Sequence, residues 1–163
     1  MIVETASRID AAWRALAGVL DPEVPVLSVL DLGIVRGVEE RDDGALEVIL
    51  TPTYSGCPAV EVIEQSVLDA LTPLGAVRVR RQFAPAWTTD WISDDGKRKL
   101  REYGIAPPGA ATATVRVVRR ETVPCARCGS THTERLSAFG ATACKALWRC
   151  IACREPFEHF KPI

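Results

Sequence analysis

The residues of this 163-residue chain best able to do chemistry are its six cysteines, and five of them fall between Cys125 and Cys153. Four of those form two C-x-x-C pairs, Cys125 with Cys128 and Cys150 with Cys153. Each pair can present two thiolates from a tight knuckle turn, and two facing knuckles complete the tetrahedral four-sulfur site that zinc accepts. Four thiolates also hold an iron-sulfur cluster, which keeps that alternative open. Cys144 is a small buried thiol by default, with a substitute ligand or part of a cluster site as the other readings, and His132 or His159 would serve only where a cysteine is displaced. The residues from 123 to 163 are too few to bury a self-sufficient core, so a bound metal would supply folding free energy on the order of 10 kcal/mol.

Cys57 stands apart, inside TPTYSGCPAVEVIEQSV. Proline at position 58 suits the first turn of a helix, which makes Cys57 the expected N-cap. A thiol there lies beside unpaired N–H groups at the positive helix end, and both favour thiolate. Glu61 and Glu64 oppose that charge, and cysteine is a frequently buried residue. These residues alone leave two readings open, a reactive or metal-contacting thiol and a plain structural cap.

The rest of the composition excludes several chemistries. Both histidines, His132 and His159, lie in the cysteine-rich tail, so no serine-histidine-acid triad can be assembled before it. Neither G-x-G-x-x-G nor G-x-x-x-x-G-K-[ST] occurs, which argues against nucleotide chemistry. A formal net charge of -1 supplies no long-range field toward nucleic acid or an anionic membrane. The opening MIVETASRID is too polar for a secretory signal, and no apolar run approaches the roughly 18 residues of a membrane span. A cytoplasmic protein with no membrane partner is expected.

Periodicity gives the elements that must position these residues. Ile9, Trp13, Leu16 and Leu20 form one apolar stripe of a helix over 5–20, ended by Asp21-Pro22-Glu23. Leu27 to Val38 reads as a turn or bulge, containing Asp31 and Gly33, that feeds a strand. EERDDG is a hairpin signal, followed by a strand over 45–51. A helix over 59–71 carries Val60, Ile63, Val67 and Leu71 on one face, and AVRVRRQF alternates like a half-buried strand. A short helix follows Ser93 and closes at Gly104; Trp87 and Trp91 are expected to pack on the core rather than form a docking patch with Phe83. Arg78, Arg80, Arg81, Arg116, Arg119 and Arg120 are expected on solvated strand faces, with nucleic acid the less favoured use. IAPPGAATA is the expected boundary, and a strand over 114–120 precedes the tail. The resulting fold class is α+β, a small mixed sheet with helices followed by a zinc-ribbon-like β module. Its divisions are 1–106 for the first domain, 107–122 for linker and strand, and 123–163 for the four-cysteine ribbon.

LDPEVPVLSVLDLGIV and LTPTYSGCP together resemble the small α/β domain of iron-sulfur cluster assembly and targeting proteins. That resemblance implies one surface site built from Asp21 and Glu23, Thr51 and Thr53, and Cys57. PAWTTDWISDDGKRKLREYGIAPP and FGATACKALWRCIACREPFEHFK are similar to the D-subunit family of bacterial phenylacetyl-CoA epoxidase systems, which are multicomponent di-iron monooxygenases. Nearly the whole chain takes part in this likeness. It implies an accessory component rather than a catalytic one, because the carboxylate and histidine ligands of a di-iron helical bundle are missing. It further implies structural zinc in the tail, transient iron or an iron-sulfur cluster at Cys57, and the other oxygenase or reductase subunits as partners. Association with a second copy of the chain is compatible with this reading, and two alternatives stay open: a zinc-ribbon adaptor without metal transfer, and a cysteine-dependent enzyme using Cys57.

Overall fold

The computed structural model describes residues 2–110 and 121–163, without the side chains of residues 2–7. The chain forms two compact units, Met1–Trp87 with Trp91–Ser93, and Thr88–Asp90 with Asp94–Ile163.

The first unit runs α1 (Ile2–Leu16), β1 (Val35–Glu40), β2 (Leu46–Leu50), α2 (Val60–Leu71) and β3 (Val77–Arg81). This is the helix-strand-strand-helix-strand order expected from periodicity. β1 and β2 form an antiparallel hairpin whose turn closes at Gly44, with φ of 78°. β3 then adds parallel to β2, so α2 is the crossover that a parallel pair requires. Leu46, Val48 and Leu50 are buried, as are Ile63, Val67 and Leu71 of α2 and Ala12 and Leu16 of α1. Each large aliphatic side chain among them contributes about 1.5–3 kcal/mol through burial.

Two local expectations are corrected. α1 ends at Leu16 rather than Leu20, because the chain turns at Ala17-Gly18 and enters an extended segment. Val19 is buried there and Leu20 is 51% exposed, reversing the stripe's last position. Trp87 does join the core, its indole N–H donating to the Leu32 carbonyl at 2.8 Å, whereas Trp91 is half-buried with the Arg36 guanidinium 3.7 Å from its ring centroid.

In the second unit, α3 (Asp94–Tyr103) leads into β4 (Ile105–Ala106), β5 (Thr133–Ser137), β6 (Lys145–Cys150) and β7 (Pro156–Phe160). The sheet order is β4-β7-β6-β5, antiparallel except for the parallel pair of β4 with β7. Residues 94–106 therefore belong with the cysteine-rich unit and not with the first domain, because Ile105 and Ala106 pair with Glu158 and His159. The expected strand over 114–120, with Arg116, Arg119 and Arg120, lies outside the described residues. No described helix is long and apolar enough to cross a membrane.

Candidate metal centre and cysteine site

Two turns of the same design bring the four tail cysteines together. The backbone N–H of Gly129 donates to the Cys125 carbonyl and that of Cys125 to the Ser130 carbonyl, both at 2.9 Å, while the N–H of Cys150 donates to the Glu155 carbonyl at 3.0 Å. Each turn leaves its second cysteine through a left-handed residue, Gly129 with φ of 75° and Arg154 with φ of 66°. Thr133 pairs with Cys150 across β5 and β6, which fixes the second knuckle at the end of the hairpin. Cys125 and Cys150 are buried within a small core of Ala106, Val123, Ala146, Trp148 and Phe157, and Cys128 is exposed.

The Sγ atoms of all four lie within 4.8 Å of one another, with Cys125 to Cys153 at 3.8 Å and Cys128 to Cys150 at 3.6 Å. A tetrahedron of sulfurs about 2.3 Å from a central ion has edges of about 3.8 Å, so this donor set fits a single metal ion. A multi-iron cluster interposes iron and sulfide between its cysteines and would hold them farther apart. The backbone N–H of Arg127 donates to Cys125 Sγ at 3.3 Å, and that of Cys153 donates to Cys150 Sγ at 3.4 Å. The Cys153 N–H is the main reason that Cys150 is pushed down to about 7. The Glu155 N–H favours the Cys153 thiolate as well, but desolvation and the sulfurs of Cys150, Cys128 and Cys125 outweigh it and push Cys153 up to about 12. So crowded a set of thiols calls for a cation before all four can ionise.

Cys144 is buried outside this group, with its sulfur 3.0 Å from Thr142 Oγ1. His159 is buried edge-on against Trp148 at 6.1 Å, and His132 is exposed; neither belongs to the four-sulfur set.

The Cys57 region is built differently. Asp21 is buried, and its Oδ1 accepts from the backbone N–H of Glu23 at 2.9 Å and of Val24 at 2.7 Å, so this carboxylate shapes the DPEV turn. Thr51 follows β2 directly; its N–H donates to the Ile34 carbonyl at 2.8 Å, and it is 1% exposed. Among the described residues its hydroxyl has no hydrogen-bond partner, an uncommon and costly condition for a buried polar atom. Thr53 is half-buried in the bend that follows. Cys57 is also half-buried, with its N–H donating to the Tyr54 carbonyl and its own carbonyl accepting from Val60, both at 3.2 Å.

The expected N-cap role of Cys57 is corrected, because Ala59 caps α2 and Pro58 and Ala59 form a tight turn before it. Cys57 keeps a place two residues ahead of that cap. Among the described residues, the four tail cysteines are the one metal-capable group, and Asp21, Glu23 and Cys57 do not form another.

The basic face of β3 is neutralised within the unit. Arg78 pairs with Asp43 at 2.7 Å, Arg80 with Glu47 at 3.0 Å, and Arg81 with Glu64. Two buried polar arrangements escaped the sequence reading. Asp31 Oδ2 accepts from the N–H and hydroxyl of Ser28 at 2.9 and 3.0 Å, which an acid inside an apolar run hinted at. Lys145, inward on β6, pairs with Glu158 at 2.7 Å, and no local pattern distinguished it from a surface lysine.

A mixed sheet with its crossover helix, followed by a ribbon whose four cysteines can hold a metal, defines the class as a small α+β domain fused to a four-cysteine ribbon. The comparisons agree with that division. Residues 9–81 match the family described as iron-sulfur cluster assembly protein, and residues 110–161 match the PaaD zinc beta ribbon domain. The chain is 46% identical over 158 residues to the D subunit of the putative 1,2-phenylacetyl-CoA epoxidase of Escherichia coli K12, covering 96% of this chain and 94% of that protein. It therefore belongs to the PaaD family. Over 90 residues it is 33% identical to the Fe-S protein maturation auxiliary factor of Porphyromonas gingivalis, covering 53% of this chain and 85% of that one. A crystal structure of a DUF59 domain from Bacillus anthracis has the fold, with a TM-score of 0.52 at 23% identity, covering 61% of this chain and 97% of that one.

Proposed function

We propose that this chain is an accessory component of a phenylacetyl-CoA epoxidase system, assisting the assembly of an iron or iron-sulfur centre in a partner subunit. The observation that carries this reading is the 46% identity to the epoxidase D subunit across nearly the full length of both chains. Kinship of the first unit with iron-sulfur maturation factors supplies the assembly role. In this reading the four tail cysteines hold structural zinc, and Cys57 is the thiolate that contacts iron or a cluster in transit. The orphaned Thr51 hydroxyl, on the same β2-to-α2 connection, supports the placement because a buried donor without an acceptor is tolerated where a ligand completes it. Asp21 orders the neighbouring turn, and Glu23 and Thr53 complete the proposed site.

One observation favours the second reading, a ribbon adaptor that only bridges proteins: among the described residues, Cys57 belongs to no group of three or more cysteine, histidine or acidic side chains placed to hold a metal. The two readings separate when the oxygenase is purified from cells with and without this chain and its iron is measured. The assembly reading expects substoichiometric iron without the chain. An adaptor leaves iron complete and alters only the assembly of the subunits.

A further inference from the structure

The ribbon carries an apolar tip that the proposed metal chemistry does not use. Phe139, on the β5–β6 loop, is 64% exposed, and Leu136 is 50% exposed. Leu136 is no ordinary outward strand residue. Arg135 pairs with Trp148 and Ser137 with Leu147, so Leu136 is the extra residue of a β-bulge, a device that re-aims a side chain.

The loop holding Phe139 is pinned from several sides. Its N–H donates to Ser137 Oγ at 3.2 Å, the Gly140 N–H donates to the Lys145 carbonyl at 2.7 Å, and the Ala141 N–H donates to Glu158 Oε1 at 2.8 Å. Glu158 is itself held by the buried Lys145 ammonium. A Cβ at position 140 would lie 2.6 Å from Glu158 Oε1, so the loop approaches that carboxylate as closely as a glycine allows. Burying a lysine-carboxylate pair returns little net stability, but it fixes one geometry. A loop whose backbone is already held loses less entropy on docking, which suits an exposed aromatic side chain to act as an interface anchor.

Charge narrows the partner. Residues 136–144 contain no charged side chain, Lys145 is neutralised by Glu158, and Lys161 stands 4.5 Å over the Phe139 ring centroid while donating to the Ala138 carbonyl at 3.2 Å. The tip is thus an apolar knob with a cation at its side, complementary to an apolar pocket with an acidic rim. We propose that Leu136, Phe139 and Lys161 are the surface by which this chain docks onto another component of the oxygenase system, on a protein pocket of that chemistry. The inference rests on the accessory reading above.

The test titrates each separately purified subunit of the system against zinc-loaded full-length chain by calorimetry at two salt concentrations. Phe139→Ser and Leu136→Ser are each expected to weaken binding to one subunit about tenfold or more, while Tyr103→Ser, another exposed apolar loss, leaves it unchanged. Lys161→Glu should weaken the same complex most at low salt. The proposal is overturned if no subunit binds or if Phe139→Ser binds normally. It is equally overturned if the tip variants merely dissociate a dimer of this chain, or release it from phosphatidylserine vesicles, without altering subunit affinity. Normal docking by Phe139→Ser alongside Cys57-dependent iron loading would sink the docking surface alone. Docking lost in that variant, with iron loading indifferent to Cys57, would sink the assembly reading alone.

Discussion

Replacing Cys150 by serine should unfold the ribbon sheet while leaving the first unit folded. The magnitudes decide this. A folded unit of about seventy residues has a net stability of about 4–10 kcal/mol, whereas a structural zinc site contributes about 10–16 kcal/mol near neutral pH. Cys150 is 0% exposed and closes the register of β5 on β6, so its loss removes one of four donors from the interior of the ribbon core. The remaining apolar set around the site is small, chiefly Val123, Trp148 and Phe157, and cannot replace a contribution of that size. Hydrogen exchange read by mass spectrometry follows both units at once. Amides of β5, β6 and β7 should lose protection in Cys150→Ser or after chelation, with those of β2 and α2 unchanged. Retained protection of β6 and β7 in metal-free protein would refute the claim that the ion supplies the ribbon's stability.

Gly33 has φ of 67°, and a Cβ there would lie 2.6 Å from the Trp91 carbonyl oxygen, so Gly33→Ala should cost about 2–4 kcal/mol in urea unfolding. Asp21→Ala should cost about 1–3 kcal/mol by orphaning two backbone N–H groups, and Asp21→Asn less, since an amide oxygen still accepts. Thr51→Val removes an unsatisfied hydroxyl and should leave stability unchanged or raise it by about 1 kcal/mol, while lowering iron delivery if that hydroxyl serves the site. Desolvation holds His159 below its ordinary value of 6.5, with Glu121 opposing. The unfolded chain therefore takes up the proton first, and the ribbon loses stability as pH falls through 6.5. In zinc-saturated protein, His159→Phe should flatten that part of the pH profile.

Much of the architecture was legible because it follows local rules. Val60, Ile63, Val67 and Leu71 announce α2, EERDDG announces the hairpin, and two C-x-x-C pairs announce facing knuckles. Leu20 misled because its spacing continues the α1 stripe although Gly18 has already ended the helix. β4 was hidden for another reason. Two residues carry no periodicity, and their partners on β7 lie more than fifty residues away. The buried Lys145–Glu158 pair was illegible too, since a charge inside a strand is expected at the surface until its cross-strand neighbour is known. At Cys57, proline gave the nearness of a helix start, but the helix begins past Ala59 because the Cys57–Val60 turn precedes it.

Whether Cys57 hands metal to a partner is decided by the iron content of the oxygenase produced beside a Cys57→Ala variant that retains its fold, one zinc per chain and partner binding. Assisted assembly through Cys57 predicts oxygenase with a marked deficit of iron, restored when the wild-type chain is supplied. Fully metallated, fully active oxygenase beside that variant would contradict it.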